Sequence, residues 1–199
     1  MRPEAPAPAT DDDSAPEIAT LSSRLVYANR WMKLREDRIR RQDGSEGIYG
    51  IVDKPDFVAV AALDADDCLY LVEQYRYPVG GRFWELPQGS WETDPQADPE
   101  AVARGELREE TGLEAEEWLR VGHLFECYGY SNQGCHIFLA RGLTATAAAP
   151  EPEEQGLISR RFPIGEVLAM IERGAIRDAT TVAAIGLLML KDLLPRVRL

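Results

Sequence analysis

The sequence is short of the residue types on which several common functional sites depend. It contains 3 cysteines, an odd number without CxxC spacing, and 2 histidines. We therefore interpret Cys68, Cys127 and Cys135 as reduced thiols of a cytoplasmic protein rather than as a disulfide framework. His123 and His136 lie in strand-like segments, and no other potential metal ligand accompanies them. They are therefore predicted to be structural.

Long apolar segments and positive charge are also scarce. The most apolar stretch, residues 185–190, is far too short to span a bilayer, and residues 1–20 lack the pattern of a signal peptide. The chain has 34 acidic and 22 basic residues, which gives a formal net charge of −12. This balance argues against nucleic acid or an anionic membrane as the main partner, but it is compatible with a local basic pocket for a nucleotide. We find no internal repeat of the whole unit and no helix-turn-helix.

The length and composition fit one globular domain with additions, since the chain has 199 residues of which 45% are apolar. Residues 1–20 are predicted to be a disordered tail, because they are rich in proline, alanine and acids and lack a periodic apolar face. Residues 21–52 are predicted to form an N-terminal strand module. Residues 53–199 are predicted to form the main domain.

Apolar periodicity in the rest of the chain predicts an α/β fold. Residues 21–52 alternate apolar and charged side chains around a turn at 42–45, which favours a short antiparallel sheet. The continuous apolar run at 57–63 predicts a buried strand. Further strands are predicted at 69–75, 83–86, 121–128, 136–140 and 160–164, and two late helices at 164–172 and 179–194.

The N-terminal module also carries Trp31 and several arginines, and two interpretations of them stand. The first is that the arginines decorate the solvated side of the sheet. The second is that Trp31 and one of the cations reach a nucleotide, the ring by stacking and the cation by contact with phosphate. The arginines concerned are Arg35, Arg38, Arg40 and Arg41.

A helix with clear ends is predicted between Asp98 and Gly112. Asp98 is a suitable N-cap, Pro99 fits the first turn because its missing N–H costs nothing there, and Gly112 is the expected stop. Ala101, Val102 and Leu107 can supply an apolar side opposite the acids, which favours a helix packed on a sheet.

Three carboxylates, Glu106, Glu109 and Glu110, stand in this helix at i, i+3 and i+4 and so share one face. Such a cluster repels itself unless a cation binds. Mg²⁺ and Mn²⁺ are hard ions that carboxylates hold and that also engage substrate phosphates. The face therefore predicts metal-assisted phosphoryl transfer or hydrolysis, with a solvated acidic helix face as the alternative.

The same segment resembles the Nudix box, whose pattern is Gly, five residues, Glu, seven residues, then Arg-Glu-apolar-any-Glu-Glu-any-Gly-apolar. The second half of the pattern is in register here. Its positions are occupied by Glu106, Glu109, Glu110, Gly112 and Leu113.

The first half of the box departs from the pattern. Gly105 stands where the family has Arg, Ala97 stands where it has the first Glu, and Gly89 lies two residues too far upstream, as if the loop carried an insertion. In the family that Arg orients a catalytic Glu through an ion pair. Arg104 and Arg108 are the candidates to replace it.

The segment Glu73–Pro78, followed by Trp84–Gly89 and the box, is similar to the ADP-ribose pyrophosphatase branch of the Nudix hydrolases. The resemblance implies that Glu85 lies in the site and that the main-chain carbonyl of Gln88 helps to hold metal. It also implies that Arg76 meets phosphate or ribose, with a surface salt bridge at a strand end as the alternative.

Two later loops bear on the same site. Residues 129–134 form a polar loop suited to the rim of a pocket, although the branch has other residues where this chain has Asn132 and Gln133. In the branch a loop Glu activates the water, and Glu153 or Glu154, at the end of the predicted loop 143–152, is the nearest match. The alternative is an ordinary solvated acidic loop.

The resemblance covers about residues 21–194 and implies a Nudix-type α/β/α sandwich with a mixed sheet, preceded by an N-terminal antiparallel strand module. It commonly implies a homodimer in which the N-terminal strands exchange and complete the partner's pocket. Trp31 would then stack on the nucleobase across the interface.

The implied activity is Mg²⁺-dependent hydrolysis of a nucleoside diphosphate linked to another group, with Mn²⁺ as the alternative ion. ADP-ribose is the leading substrate, giving AMP and ribose 5-phosphate. Catalytic roles are assigned to Glu109 and to Glu153 or Glu154, metal binding to Gln88, Glu106, Glu109 and Glu110, and substrate binding to Trp31, Arg76 and Glu85. Two alternatives stand: another nucleotide or nucleotide-sugar substrate, and an inactive ligand sensor on the same scaffold.

Overall fold

The structure is a computed structural model that describes residues 16–91, 94, 96–146 and 156–195. Its strands are β1 (Ile18–Ala28), β2 (Lys33–Arg41), β3 (Glu46–Asp53), β4 (Phe57–Leu63), β5 (Cys68–Arg76), β6 (Gly81–Glu85), β7 (Gln88–Gly89), β8 (Leu113–Phe125), β9 (Gly134–Ala145) and β10 (Ile158–Pro163). Its helices are α1 (Pro99–Thr111), α2 (Ile164–Glu172) and α3 (Ala179–Leu190). No helix within these ranges is long and apolar enough to cross a membrane.

Strands β1, β2 and β3 form a separate antiparallel sheet, as the alternation in residues 21–52 predicts. Its arginines mainly pair with acids on the sheet itself. Arg38 and Arg40 both reach Glu46, at 3.0 and 2.8 Å, in exposed surroundings. The solvated interpretation of these two arginines is therefore confirmed.

The larger sheet has the strand order β10-β5-β4-β9-β8, with β6 paired to β5 and β7 paired to β4. Strands β4 and β9 run parallel and the other neighbours are antiparallel, so the sheet is mixed, as predicted. Strand β4 lies in its middle and is buried on both sides. Val58 and Val60 pack with α1, while Ala59 and Ala61 pack on the side of α2 and α3. This two-sided burial explains the continuous apolar run and completes the α/β/α sandwich.

Several boundaries differ from the prediction. Strand β1 begins at Ile18, inside the segment 1–20 predicted to be a tail, and residues 1–15 lie outside the described residues. Strand β8 begins at Leu113 rather than at residue 121, because Gly112, with φ of 67°, turns the chain directly from α1 into the sheet. Strand β9 continues to Ala145 and takes up the start of the predicted loop 143–152.

The polar loop before β9 joins the two sheets. The Lys54 N–H donates to Asn132 Oδ1 at 3.1 Å, and Asn132 Nδ2 donates to Asp53 Oδ1 at 3.0 Å. Gln133 Nε2 donates to the Pro55 carbonyl at 2.9 Å, and the Val52 N–H donates to the Tyr130 carbonyl at 2.8 Å. These bonds hold the linker that follows β3, and with it the turn between β1 and β2 that carries Trp31.

Candidate active site

Helix α1 forms as the sequence predicts. The Asp98 carboxylate accepts a hydrogen bond from the Ala101 N–H at 3.2 Å, and the N–H of Gly112 donates to the Arg108 carbonyl at the other end. The apolar side of the helix, including Leu107, packs on the sheet. This packing directs the opposite carboxylates toward β7.

Glu106 and Glu110 meet the backbone of β7. Glu110 is only 2% exposed, and its Oε2 accepts a hydrogen bond from the Gln88 N–H at 3.0 Å. Glu106 is 7% exposed and lies against Gly89. The third carboxylate, Glu109, is less buried and comes within 4.0 Å of the Arg108 guanidinium.

Gly89 is required by the close approach of the Glu106 carboxylate to the main chain. A Cβ built on Gly89 would lie 2.5 Å from Glu106 Cδ and 2.6 Å from Oε1, closer than a side chain tolerates. Because glycine has no side chain, the Glu106 carboxylate can lie directly against the backbone of β7.

We expect Gly89→Ala to lower kcat by about a hundredfold, because displacement of a positioned group by about 1 Å costs that much. The added methyl group must push the Glu106 carboxylate away from β7. Steady-state kinetics would measure the loss and circular dichroism would check the fold. Gly50→Ala is the matched control, since a Cβ there meets nothing within 4 Å, and an equal loss in both variants would contradict the placement.

The donor atoms at β7 and α1 fit a hard divalent cation. Glu106 and Glu110 supply carboxylate oxygens beside the polar Gln88. Within the described part of the chain, Gln88 Oε1 is buried and has no hydrogen-bond partner. A buried oxygen left in this state is costly unless a bound group satisfies it. The residues present therefore suit Mg²⁺ or Mn²⁺ better than a soft transition metal.

The space beside Gly105 is filled by Trp91. A Cβ on Gly105 would lie 2.6 Å from Trp91 Cζ2. Of the two arginines proposed as substitutes for the box arginine, Arg108 comes within 4.0 Å of Glu109, whereas Arg104 is engaged elsewhere. Arg104 pairs with Glu100 at 2.7 Å and stacks over the Trp118 ring at 4.8 Å from its centroid.

A cleft with a volume of 540 Å³ opens above Glu106 and brings together parts of the chain that are far apart in sequence. Its lining residues come from the β1–β2 turn, the linker after β3, strands β4, β5 and β7, the segment around α1, the loop before β9 and the start of α3. They include Trp31 and Arg76, which the sequence predicts as substrate contacts. The full lining is Arg30, Trp31, Lys54, Phe57, Gln74, Arg76, Gln88, Gly89, Ser90, Glu106, Gln133, Asp178 and Thr180.

Trp31 is 46% exposed, and the Arg30 guanidinium lies 4.4 Å from its ring centroid. The ring lines the cleft of its own chain. An aromatic surface is therefore available in this cleft within one chain.

Glu85 lies behind the cleft rather than in its lining. It is 2% exposed and accepts hydrogen bonds from Gln74 Nε2 at 3.0 Å and from Arg76 Nε at 3.1 Å. Burial raises the pKa of the Glu85 carboxyl, and the Arg76 guanidinium opposes that rise. Arg76 thus lines the cleft, and Glu85 holds its guanidinium from behind.

Sequence reasoning missed Arg30, Lys54, Asp178 and Thr180 as parts of the cleft. Asp178 is the N-cap of α3, and its side chain accepts a hydrogen bond from the Thr181 N–H at 2.8 Å. The signal in the sequence was an acidic residue just before a helix, which indicates an N-cap but not a place in the cleft. Thr180 Oγ1 donates to Glu126 at 3.0 Å, and burial raises the pKa of Glu126. Glu153 and Glu154, predicted as candidates for the base, lie outside the described residues.

Comparison with known proteins adds family matches over most of the chain. Residues 18–52 match a nucleoside diphosphate sugar hydrolase N-terminal domain, and residues 53–185 match the NUDIX domain. The chain is 31% identical over 171 residues to an ADP-ribose pyrophosphatase of Mycobacterium tuberculosis, covering 85% of this chain and 82% of that protein. It is 30% identical over 179 residues to a methanol dehydrogenase activator of Bacillus methanolicus, covering 89% of this chain and 96% of that protein.

A solved structure described as an ADP compounds hydrolase superposes with a TM-score of 0.76 at 21% sequence identity. The match covers 92% of this chain and 100% of that one. At this identity it supports the fold, and the sequence matches support the chemistry.

Proposed function

This chain belongs to the Nudix hydrolases of nucleoside diphosphate compounds, and from that premise we propose that it hydrolyses ADP-ribose to AMP and ribose 5-phosphate. The observation that carries the proposal is the pair Glu106 and Glu110, held against Gly89 and Gln88. Glu106, Gln88 and Gly89 line a cleft that also contains Trp31. The name of the Mycobacterium tuberculosis relative favours ADP-ribose as the substrate.

We assign the divalent cation to Glu106, Glu109, Glu110 and the main-chain carbonyl of Gln88, and propose Mg²⁺ with Mn²⁺ as the alternative. When bound, such an ion neutralises charge on the diphosphate and makes a water more acidic. The chain itself supplies the preorganised carboxylates. Their burial by α1 and β7 means that little rearrangement is needed when substrate arrives.

The cationic and aromatic groups of the cleft suit the two ends of a nucleoside diphosphate. Arg30, Lys54 and Arg76 present three positive charges from three separate elements. A guanidinium can bind phosphate through two parallel hydrogen bonds, and Glu85 fixes the orientation of the Arg76 group. Trp31 offers a flat surface for the base.

The proton of the attacking water needs an acceptor, and we propose Glu153 or Glu154 for that role. Both precede β10, which is the edge strand paired with β5, the strand that carries Gln74 and Arg76 into the cleft. A carboxylate on this connection is suited to general base catalysis once it reaches the bound water.

We also propose that the protein is a cytoplasmic homodimer assembled through the N-terminal sheet. That sheet exposes large apolar side chains, among them Leu25 and Ile48, which are 60% and 66% exposed. Burying such side chains in an interface between two chains would be favourable. Cys68, Cys127 and Cys135 are all described and all free thiols, in keeping with a reducing compartment. Light scattering that shows a monomer would contradict the dimer.

A nucleotide sugar is the second candidate substrate, because residues 18–52 match the N-terminal domain of nucleoside diphosphate sugar hydrolases. Both candidates contain a nucleoside diphosphate, although the base of a nucleotide sugar need not be adenine. They differ in the group beyond the second phosphate, so Glu106 and Glu110 keep the same roles in either case.

The deciding experiment screens the purified protein with Mg²⁺ against ADP-ribose, nucleotide sugars, dinucleotides and nucleoside triphosphates. A coupled phosphatase releases phosphate from the products, and EDTA serves as the control. Metal-dependent turnover of ADP-ribose above the others is expected. Preference for a nucleotide sugar would reassign the substrate, and ligand binding without any turnover would favour a sensor.

We expect Trp31→Ala to raise the KM for ADP-ribose about 10- to 100-fold with a smaller effect on kcat, since stacking of one base on an aromatic ring contributes about 1–3 kcal/mol. Trp31→Phe should recover part of the loss. Tyr77→Ala removes another exposed ring, 86% exposed and outside the cleft lining, and should leave KM unchanged. An unchanged KM in Trp31→Ala would exclude the stacking role.

A further inference from the structure

The two histidines of the chain face each other across the β8–β9 ladder, where His123 and His136 are register partners. Their ring centroids are 4.5 Å apart, and both Nε2 atoms approach Asp56 Oδ2, at 2.9 Å for His123 and 3.3 Å for His136. The prediction that no other potential metal ligand accompanies these histidines is therefore wrong. The sequence could not show the cluster, because its members come from the start of β4 and from two later strands.

The cluster is built into the fold at Asp56 and Gly134. The Gly134 N–H donates to Asp56 Oδ1 at 2.8 Å, which leaves Oδ2 for the imidazoles. A Cβ on Gly134 would lie 2.6 Å from His123 Cε1 and 3.0 Å from Asp56 Oδ2. The absence of a side chain at Gly134 is thus what allows the three groups to converge.

We propose that Asp56, His123 and His136 form a second metal site, selective for a borderline transition-metal ion such as Zn²⁺. One ligand atom from each residue lies within 4.8 Å of the other two. Tetrahedral zinc with bonds of about 2.0–2.2 Å needs ligand atoms roughly 3.3–3.5 Å apart. The two separations from Asp56 Oδ2, 2.9 and 3.3 Å, are close to this spacing, and the ligand atoms of the two histidines lie within 4.8 Å of each other. Small movements of the three side chains would therefore admit the ion.

The donor set separates this site from the carboxylates of α1. Imidazole nitrogen suits Zn²⁺, whereas carboxylate and carbonyl oxygen suit Mg²⁺. With three protein ligands, the fourth position is left for water. Side-chain exposures of 30% for His123, 14% for His136 and 41% for Asp56 give the ion a path from solvent.

Arg120 controls the affinity of this site. Its guanidinium lies 2.8 Å from His136 Nδ1, and since arginine only donates hydrogen bonds, Nδ1 must accept. The proton of a neutral His136 then sits on Nε2, the atom that would bind zinc. Zinc binding moves that proton to Nδ1, so the exposed Arg120 side chain must turn away. In Arg120→Gln, the amide oxygen can accept a hydrogen bond from the protonated Nδ1, so this variant is expected to bind zinc more tightly.

The test uses the full chain without a histidine tag, in excess Mg²⁺ to occupy the carboxylate site. Zinc is titrated by calorimetry, and the imidazole signals are followed by NMR, where 2 histidines give an uncrowded spectrum. We expect one zinc per chain, shifts of both imidazoles and a rise in Tm. Mutation of a residue that hydrogen-bonds to a metal ligand typically changes metal affinity about 10- to 100-fold. We expect Arg120→Gln to tighten zinc binding by a factor of that size.

Two matched variants decide between the sites. His123→Asn should abolish zinc binding and the rise in Tm while leaving Mg²⁺-dependent turnover intact, whereas Glu110→Gln should leave zinc binding unchanged. Two results would overturn the proposal. One is that the wild type binds zinc without a shift of its imidazole signals and Glu110→Gln loses that binding; the other is that the wild type binds no zinc. If His123→Asn does not fold, the NMR shifts of the wild type and the Arg120→Gln affinity still decide the question.

Discussion

Glu110→Gln is expected to lower kcat by about a thousandfold, because a catalytic divalent ion contributes several kcal/mol and each 1.36 kcal/mol is about tenfold in rate. The substitution is nearly isosteric. The new amide oxygen can still accept the hydrogen bond from the Gln88 N–H that Glu110 Oε2 accepts at 3.0 Å. The loss should therefore come from weaker metal binding and not from unfolding.

Glu100→Gln is the control for that experiment. It removes one charge from the same helix, but Glu100 pairs with Arg104 in its first turn, away from β7. Its kcat should stay close to the wild-type value. Calorimetric titration of Mg²⁺ would show weaker binding only in Glu110→Gln, and a near-normal rate in that variant would refute the assignment.

Restoring the family arginine at position 105 is expected to destabilise the protein by about 2–3 kcal/mol, the upper range for overpacking a filled site. In Gly105→Arg, even the Cβ would lie 2.6 Å from Trp91 Cζ2, so the indole must leave the apolar cluster that it packs against. Because the ring and the loop that carries it would move, we expect no gain in kcat. Urea unfolding and steady-state kinetics would measure both effects.

The comparison of Gly105→Ala with Gly186→Ala isolates the contact with Trp91. Both glycines lie within helices, and alanine is favoured over glycine in a helix by about 1 kcal/mol. A Cβ at Gly186 meets nothing within 4 Å, so Gly186→Ala should be neutral or stabilising, and Gly105→Ala should be destabilising. A stable Gly105→Arg protein with a raised kcat would show that an arginine is accommodated there after all.

The parts of the fold that could be predicted from the sequence are those set by local chemistry. Asp98 and Gly112 define the ends of α1 through their own side-chain and backbone properties. The apolar run of β4 indicates burial on both sides without any knowledge of its neighbours. The spacing of Glu106 and Glu110 likewise indicates a shared helix face.

The parts that could not be predicted depend on contacts between distant segments. The first half of β8 is polar and mostly exposed, so its composition does not resemble a strand. The approach of Trp91 to Gly105, of Arg30 to the cleft and of Asp56 to the two histidines each requires the folded arrangement of the sheets. The sequence predicts Glu85 as a substrate contact, but its burial and its hydrogen bonds to Arg76 appear only in the folded structure.

The hydrogen bonds between β3 and the loop before β9 limit how freely such chains can be recombined. The two family matches meet between residues 52 and 53, yet the Tyr49 hydroxyl donates to the Gly129 carbonyl, and Val52 is bonded to Tyr130 and Ser131 of the later domain. A chimera that takes its first 52 residues from a relative would inherit a foreign partner for that loop. To keep Trp31 over the cleft, such a chimera would have to take the N-terminal sheet and the loop before β9 from the same protein. The segments that must be exchanged together are therefore not contiguous in the sequence.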